Sequence, residues 1–233
     1  MRPRPGAGDR AWVRSRPHRP SPFLPAAGGR PDAWPWPLRI HVLGRLRLWR
    51  DGEEVSFPRK VPKVPLRLLK ALVAFGAKDV AEEKLTDALW PESEGDAAQQ
   101  VLATTLFALR KLIGAEVLHR QNGRLSLDPG PCWVDLWAVT CALDDADLPP
   151  EDFPGAITRL YTGVLFADET APWAATAREA LRTRLSRRLS TALRCLDQTD
   201  RAPEAGALRQ WGRMVGVGET AKNISASLAL SDF

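Results

Sequence analysis

The sequence predicts an α+β unit followed by an all-α one. The first is a winged helix-turn-helix with an N-terminal antiparallel sheet, the second an incomplete TPR-like helical domain. Three observations predict this. Apolar residues alternate with polar ones over 38–57, the period of half-buried strands. Three helical patterns then follow closely over 66–113, the third the longest, and Asn122-Gly123 lies just beyond them between alternating apolar residues. From 136 onward apolar residues recur at helical spacing.

Each element has its own signal. Ile40, Val42, Leu46, Leu48, Val55 and Phe57 alternate, Gly44 separates the first two runs, and Asp51-Gly52 supplies a hairpin turn. The body therefore opens as a small antiparallel sheet. After Pro65, Leu66, Leu69, Leu72 and Val73 share a helical face that Gly76 ends. Val80 is a short extended piece, and a second helix over 81–89 closes at Trp90-Pro91. Asp96 is a candidate N-cap for the third helix, 97–113. Gly114 stops it, and Val117, Leu118, Leu125 and Leu127 flank the Asn122-Gly123 turn. Pro129-Gly130-Pro131 reads as a corner into a helix near 136–143. A polar linker, "DDADLPPEDFPG", precedes helices over 155–165, 172–196 and 203–215. Arg178, Arg182, Arg184, Arg187, Arg188 and Arg194 read as a solvated face of the long helix. The domains expected are a disordered basic Pro/Arg-rich tail (1–37), the winged helix (38–130), the helical domain (131–215) and a weakly structured C-terminus (216–233).

The order of elements gives the third helix its task. One face packs on the first two helices, and the opposite face of such a helix enters the DNA major groove. With Leu102, Leu106, Leu109 and Ile113 inward, Gln100, Thr104, Ala108 and Lys111 fall together on another face. Gln pairs with adenine edges, Thr bonds a base or touches a thymine methyl, and Lys bonds guanine acceptors. Gln99, Arg110 and the hairpin residues Arg120, Gln121, Asn122 and Arg124 are placed for phosphates or the minor groove. Double-stranded DNA is the expected partner. The alternative is a protein-interaction module whose winged helix no longer binds DNA, which Phe107, Ala108 and the neutral body favour.

Charge placement agrees weakly with DNA. The net charge is +5. Residues 1–37 hold seven Arg against two Asp, 38–127 fifteen basic against eleven acidic residues, and 128–233 eleven against fifteen. A basic half beside an acidic one suits a partner with phosphates on one side. Nine Pro in 1–37 leave no periodicity to bury. The three cysteines, Cys132, Cys141 and Cys195, form no CxxC pair and point to a reducing cytosol, with Cys132 a small packed residue. His18, His41 and His119 share no ligand spacing. No zinc site, and no cofactor of any kind, is expected. No apolar run approaches the ~20 residues of a membrane span, and the basic N-terminus lacks the apolar core of a secretory signal. Neither GxxxxGK[ST], GxSxG nor HExxH is present, so ATP binding and catalysis are not expected. With no receiver-type acidic pocket ahead of the winged helix, neither is phosphorylation.

"LRIHVLGRLRLWRDGEEVSFPRK", "KLTDALWP", "TTLFALRKLIGAEVL" and "GRLSLDPGPCWVDLWAV" resemble the OmpR-type winged helix of bacterial transcriptional activators of the SARP kind. "LYTGVLFADETAPWAATAREALRTRLSRRLSTAL" resembles the bacterial transcriptional activator domain that follows it. "GRLSLD", "CWVDLWA" and "APW" are closest to a subgroup in which this pair ends a very large ATPase-like regulator. The resemblance covers roughly 38–215. It implies sequence-specific DNA binding, transcriptional control, a cytoplasmic location, and a helical domain that contacts itself, RNA polymerase or a regulatory partner. Members commonly carry a basic residue at the position of Ala108 and a polar one at Phe107, so Phe107 here packs on the wing or touches a thymine methyl. The family's helical domain runs through several repeats, and here only about one and a half are expected, leaving an apolar face in need of a partner.

Overall fold

The computed structural model describes residues 36–57, 61–93 and 95–217. Of the tail expected over 1–37, residues 1–35 lie outside the described residues, as do 218–233 of the C-terminus expected over 216–233.

The chain opens with β1 (Leu38–His41), β2 (Arg47–Arg50) and β3 (Glu53–Glu54), paired antiparallel as the alternation predicts. The sheet is nevertheless mixed. A strand β7 (Cys132–Val134) lies parallel to β1 on its other side, giving the order β3-β2-β1-β7. The expected Pro-rich corner thus leads into a strand, and residues 131–134 complete the first sheet rather than begin the helical domain. All three residues of β7 are buried, so no alternation announces it.

Between these strands lie α1 (Lys63–Ala74), β4 (Val80–Ala81), α2 (Glu82–Leu89) and α3 (Gly95–Ile113), then the hairpin β5 (Leu118–Gln121) and β6 (Arg124–Leu127). Helix α1 begins ahead of Pro65, whose missing N–H is harmless in a first turn. Asp96 sits inside the first turn of α3 rather than capping it, its carboxylate still beside the positive helix end. Asn122 (φ 50°) and Gly123 (φ 68°) both take the left-handed conformation of a two-residue hairpin turn. β4 pairs with β6, so the wing is a three-stranded sheet.

The remainder is helical: α4 (Asp135–Asp144), α5 (Phe153–Leu160), α6 (Pro172–Gln198) and α7 (Ala202–Met214). Helix α5 ends five residues before the expected 165. Residues 162–167 instead lie alongside Val42–Gly44, just past β1, with an isolated antiparallel bridge between Leu43 and Leu165, Gly44 N–H on Val164 O at 2.9 Å and Phe166 N–H on Val42 O at 2.8 Å. Gly163 permits this, since a Cβ there would lie 3.2 Å from the Gly44 Cα. Asp135 staples sheet to helix: its buried carboxylate accepts the N–H groups of Val42 and Leu43 at 3.0 Å. One apolar core runs from Leu38 and Ile40 through Leu69, Leu102 and Leu109 to Phe166, Leu185 and Leu208.

Candidate nucleic-acid interface

Helix α3 buries Ala98, Leu102, Thr105, Leu106, Leu109 and Ile113. These recur at i, i+4, i+7 and i+11, so the opposite side faces solvent. Gln100, Thr104 and Lys111 are exposed there, Ala108 and Gln99 are half-buried, and Phe107 is 61% exposed. The Lys111 ammonium lies 4.3 Å from the Phe107 ring centroid, a cation–π contact at i,i+4 spacing that makes the two side chains one surface feature. Thr104 donates its hydroxyl to Gln100 O at 3.1 Å. The proton is held by the helix, so the hydroxyl faces outward as an acceptor beside its methyl.

The end of α3 is fixed from two sides. Arg50 of β2 donates to Leu112 O at 2.8 Å, satisfying a C-terminal carbonyl. Arg110 reaches Leu118 O at 3.4 Å, so the last turn of α3 abuts strand β5. Arg110 is half-buried and acts as a link between helix and wing more than as an open phosphate ligand.

The wing cations divide. Arg124 donates one guanidinium nitrogen to Asp79 O at 2.8 Å. That carbonyl is neutral, and among the described residues no carboxylate forms an ion pair with this exposed guanidinium. Arg120 makes a two-pronged pair with Glu82, 2.6 Å from Nε and 2.7 Å from Nη2. Glu82 is buried, which the Arg120 hydrogen bonds make tolerable, and they raise the guanidinium pKa above its ordinary value. Arg120 is thus paired with a carboxylate, and it clamps the wing onto α2. The Glu82 N–H also donates to Gly123 O at 2.9 Å, at the turn itself. Gln121 and Asn122 are exposed at the tip. His119 bonds Asp128 at 2.8 Å, and this bond, aided by the Gly130 N–H, holds the Asp128 carboxyl below its usual range.

Gln100, Thr104, Phe107 and Lys111 are thus brought together on one face, with the wing beside its C-terminal end. The sequence reading included neither the Phe107–Lys111 contact nor the Glu82–Arg120 pair, whose partners are 38 residues apart. Among the described residues no group of three or more His, Cys, Asp or Glu is gathered as a metal site, and no helix is long and apolar enough to cross a membrane.

No protein-family model matches the chain. Regulatory protein AfsR of Streptomyces coelicolor is 34% identical over 86 residues, covering 37% of this chain and 8% of that protein. Regulatory protein AfsR of Streptomyces griseus is 29% identical over 120 residues, covering 52% of this chain and 11% of that protein. The chain therefore matches only about a tenth of the length of these curated relatives. Mycobacterium tuberculosis EmbR, solved in complex with a low affinity phosphopeptide, superposes with a TM-score of 0.43 at 20% identity over 84% of this chain and 50% of that one. The motif resemblance and the two regulatory proteins point the same way, and the matched stretches make this chain similar to SARP-type transcriptional regulators.

Proposed function

We propose that this protein binds double-stranded DNA in a sequence-specific way to regulate transcription, with α3 in the major groove and the β5–β6 wing on the backbone or minor groove. The observation that carries the reading is the exposed face of α3, where Gln100, Thr104 and Lys111 lie opposite a buried, mainly apolar face. Gln100 and Lys111 supply hydrogen bonds to base edges. Thr104, its proton held by the helix, accepts from an exocyclic amine or meets a thymine methyl, and Phe107 adds apolar area for such a methyl. Arg124, Gln121 and Asn122 serve the backbone, joined by Gln99 at the other end of α3. Ala108 lets the backbone of α3 approach the groove floor. The helical domain is the surface for a second copy, RNA polymerase or a regulatory partner.

A binding-site selection on random duplexes, followed by salt titration, tests this. Lys111→Ala costs about 1–3 kcal/mol and relaxes preference at one base position. Arg124→Ala weakens all sequences alike and lowers the salt slope by about 0.9. Arg120→Ala leaves that slope near the parent value, because Glu82 already neutralises the charge. An unenriched pool with salt-insensitive binding would overturn the proposal and favour a protein partner for this face.

A further inference from the structure

In the ion pair that joins the wing to α2, the Glu82 side chain is 5% exposed and the Arg120 side chain 44%. Taking a carboxylate that far out of water is costly, and a well-packed apolar pair in the same place is often as stable or more so. Stability alone therefore gives no reason for a charge at position 82. What a carboxylate does there, and an apolar residue would not, is occupy the donors of Arg120.

The geometry shows which donors these are. Glu82 Oε1 accepts from Nε at 2.6 Å and Oε2 accepts from Nη2 at 2.7 Å. Two parallel N–H groups on one edge of a guanidinium are what grips a phosphate with two bonds. In the β5–β6 register Arg120 stands opposite Leu125, and Arg124 opposite Gln121. Side chains alternate along a strand, so the two arginines leave the wing on opposite faces. Arg124 rests on a neutral carbonyl, Asp79 O, whereas Arg120 meets the Glu82 carboxylate. Glu82 also holds the turn through its main chain, donating its N–H to Gly123 O at 2.9 Å. A single residue at the start of α2 thus fixes both β5 and the wing tip, and α2 in turn packs on α3.

We infer that Glu82 is an internal substitute for a DNA phosphate: it occupies the two-pronged edge of Arg120, withholds that cation from the duplex backbone, and holds the wing at a fixed place beside the helices. The inference rests on the proposed DNA binding and deepens it. A wing fixed in this way offers its remaining contacts to a duplex already seated on α3. Released from Glu82, Arg120 is a cation on a long flexible stem that reaches phosphates of any sequence. Sequence-independent affinity comes from phosphate contacts, so Glu82 favours selective over indiscriminate binding.

The test compares the parent, Glu82→Gln and Glu82→Gln/Arg120→Gln on the duplex selected by the parent and on a random-sequence duplex, across a salt series. Glu82→Gln keeps the size of the side chain and removes its charge. It binds the random duplex several-fold more tightly, steepens the salt slope by about 0.9, and narrows the ratio between the two duplexes. The double variant returns to the parent slope. A second measurement needs no variant, and so decides the question even where Glu82→Gln fails to fold. Arginine modification of the parent by phenylglyoxal, read by mass spectrometry, is slowed by the selected duplex at Arg124 and little changed at Arg120. A parent that binds its selected duplex while Glu82→Gln keeps the parent slope overturns this inference and leaves DNA binding standing. So does protection of Arg120 equal to that of Arg124. A parent that enriches no sequence and binds without salt dependence overturns both.

Discussion

At the scale of the residue, the most consequential buried charges sit at the end of β1. Burial pushes the Asp135 carboxyl up to about 6, against the pull of the Val42, Leu43 and Leu136 N–H groups. Burial, reinforced by Arg47 and Arg39, pulls the neighbouring His41 imidazole down to about 4. The two groups are 3.8 Å apart. Their effects on stability have opposite sign. A raised acid takes up its proton earlier in the folded chain, so Asp135 adds stability as pH falls through 6. A lowered base resists its proton in the folded chain, so His41 removes stability as pH falls from 6.5 toward 4. Between those limits folded and unfolded states each hold one proton on the pair, and the wild-type contribution is flat. Replacing His41 with Asn removes one arm. The stability of His41→Asn relative to wild type, measured by urea unfolding, rises by about 2–3 kcal/mol between pH 6.5 and pH 4.5. A difference constant with pH contradicts the assignment.

At the scale of the element, α6 shows how far a pattern can mislead. Its arginines have the spacing of a solvated face, yet three are structural. Arg178 Nη1 donates to the carbonyls of Leu165, Phe166 and Glu169 at 3.0–3.3 Å. Arg188 donates to Leu148 O at 2.6 Å while its guanidinium lies 5.5 Å from the Phe153 ring centroid, and Arg184 pairs with Asp144. A guanidinium is suited to this because several donors project from one plane. Arg178→Met leaves three loop carbonyls without their donor and destabilises by about 1–3 kcal/mol. Arg187→Ala, on the exposed side, stays within about 0.5 kcal/mol. Thermal or chaotrope unfolding of the pair distinguishes them, and equal effects would return the stripe to plain solvation.

At the scale of the molecule, the winged helix and the helical domain share a backbone seam. Segment 162–167 bonds Val42–Gly44 just past β1, Lys70 of α1 reaches Asp168 at 2.8 Å, and α6 packs on α1. A seam of this kind couples the two units, and the protein is expected to unfold in one calorimetric transition. Gly163→Val pushes a side chain into the Gly44 backbone and lowers that single transition by about 1–3 kcal/mol. Two separable transitions in the parent protein would show that the seam does not couple the domains.

The fold was largely legible because its signals are local. Alternation over 38–50, the Asn122-Gly123 turn and the 3.6-residue stripe of α3 are set within a few residues of each other by backbone geometry. The same stripe fixed which residues of α3 face out, since the buried ones could be counted from Leu102. Three features were invisible for one reason: β7 beside β1, Glu82 beside Arg120, and Asp135 under Val42 each join residues tens of positions apart, through charge or backbone bonds that leave no periodicity. The sequence alone determined most of the elements and which side of α3 faces inward and which outward. Only the tertiary structure decided which cations remain open for phosphate and which are already paired, because that depends on which carboxylate folding brings within hydrogen-bond reach.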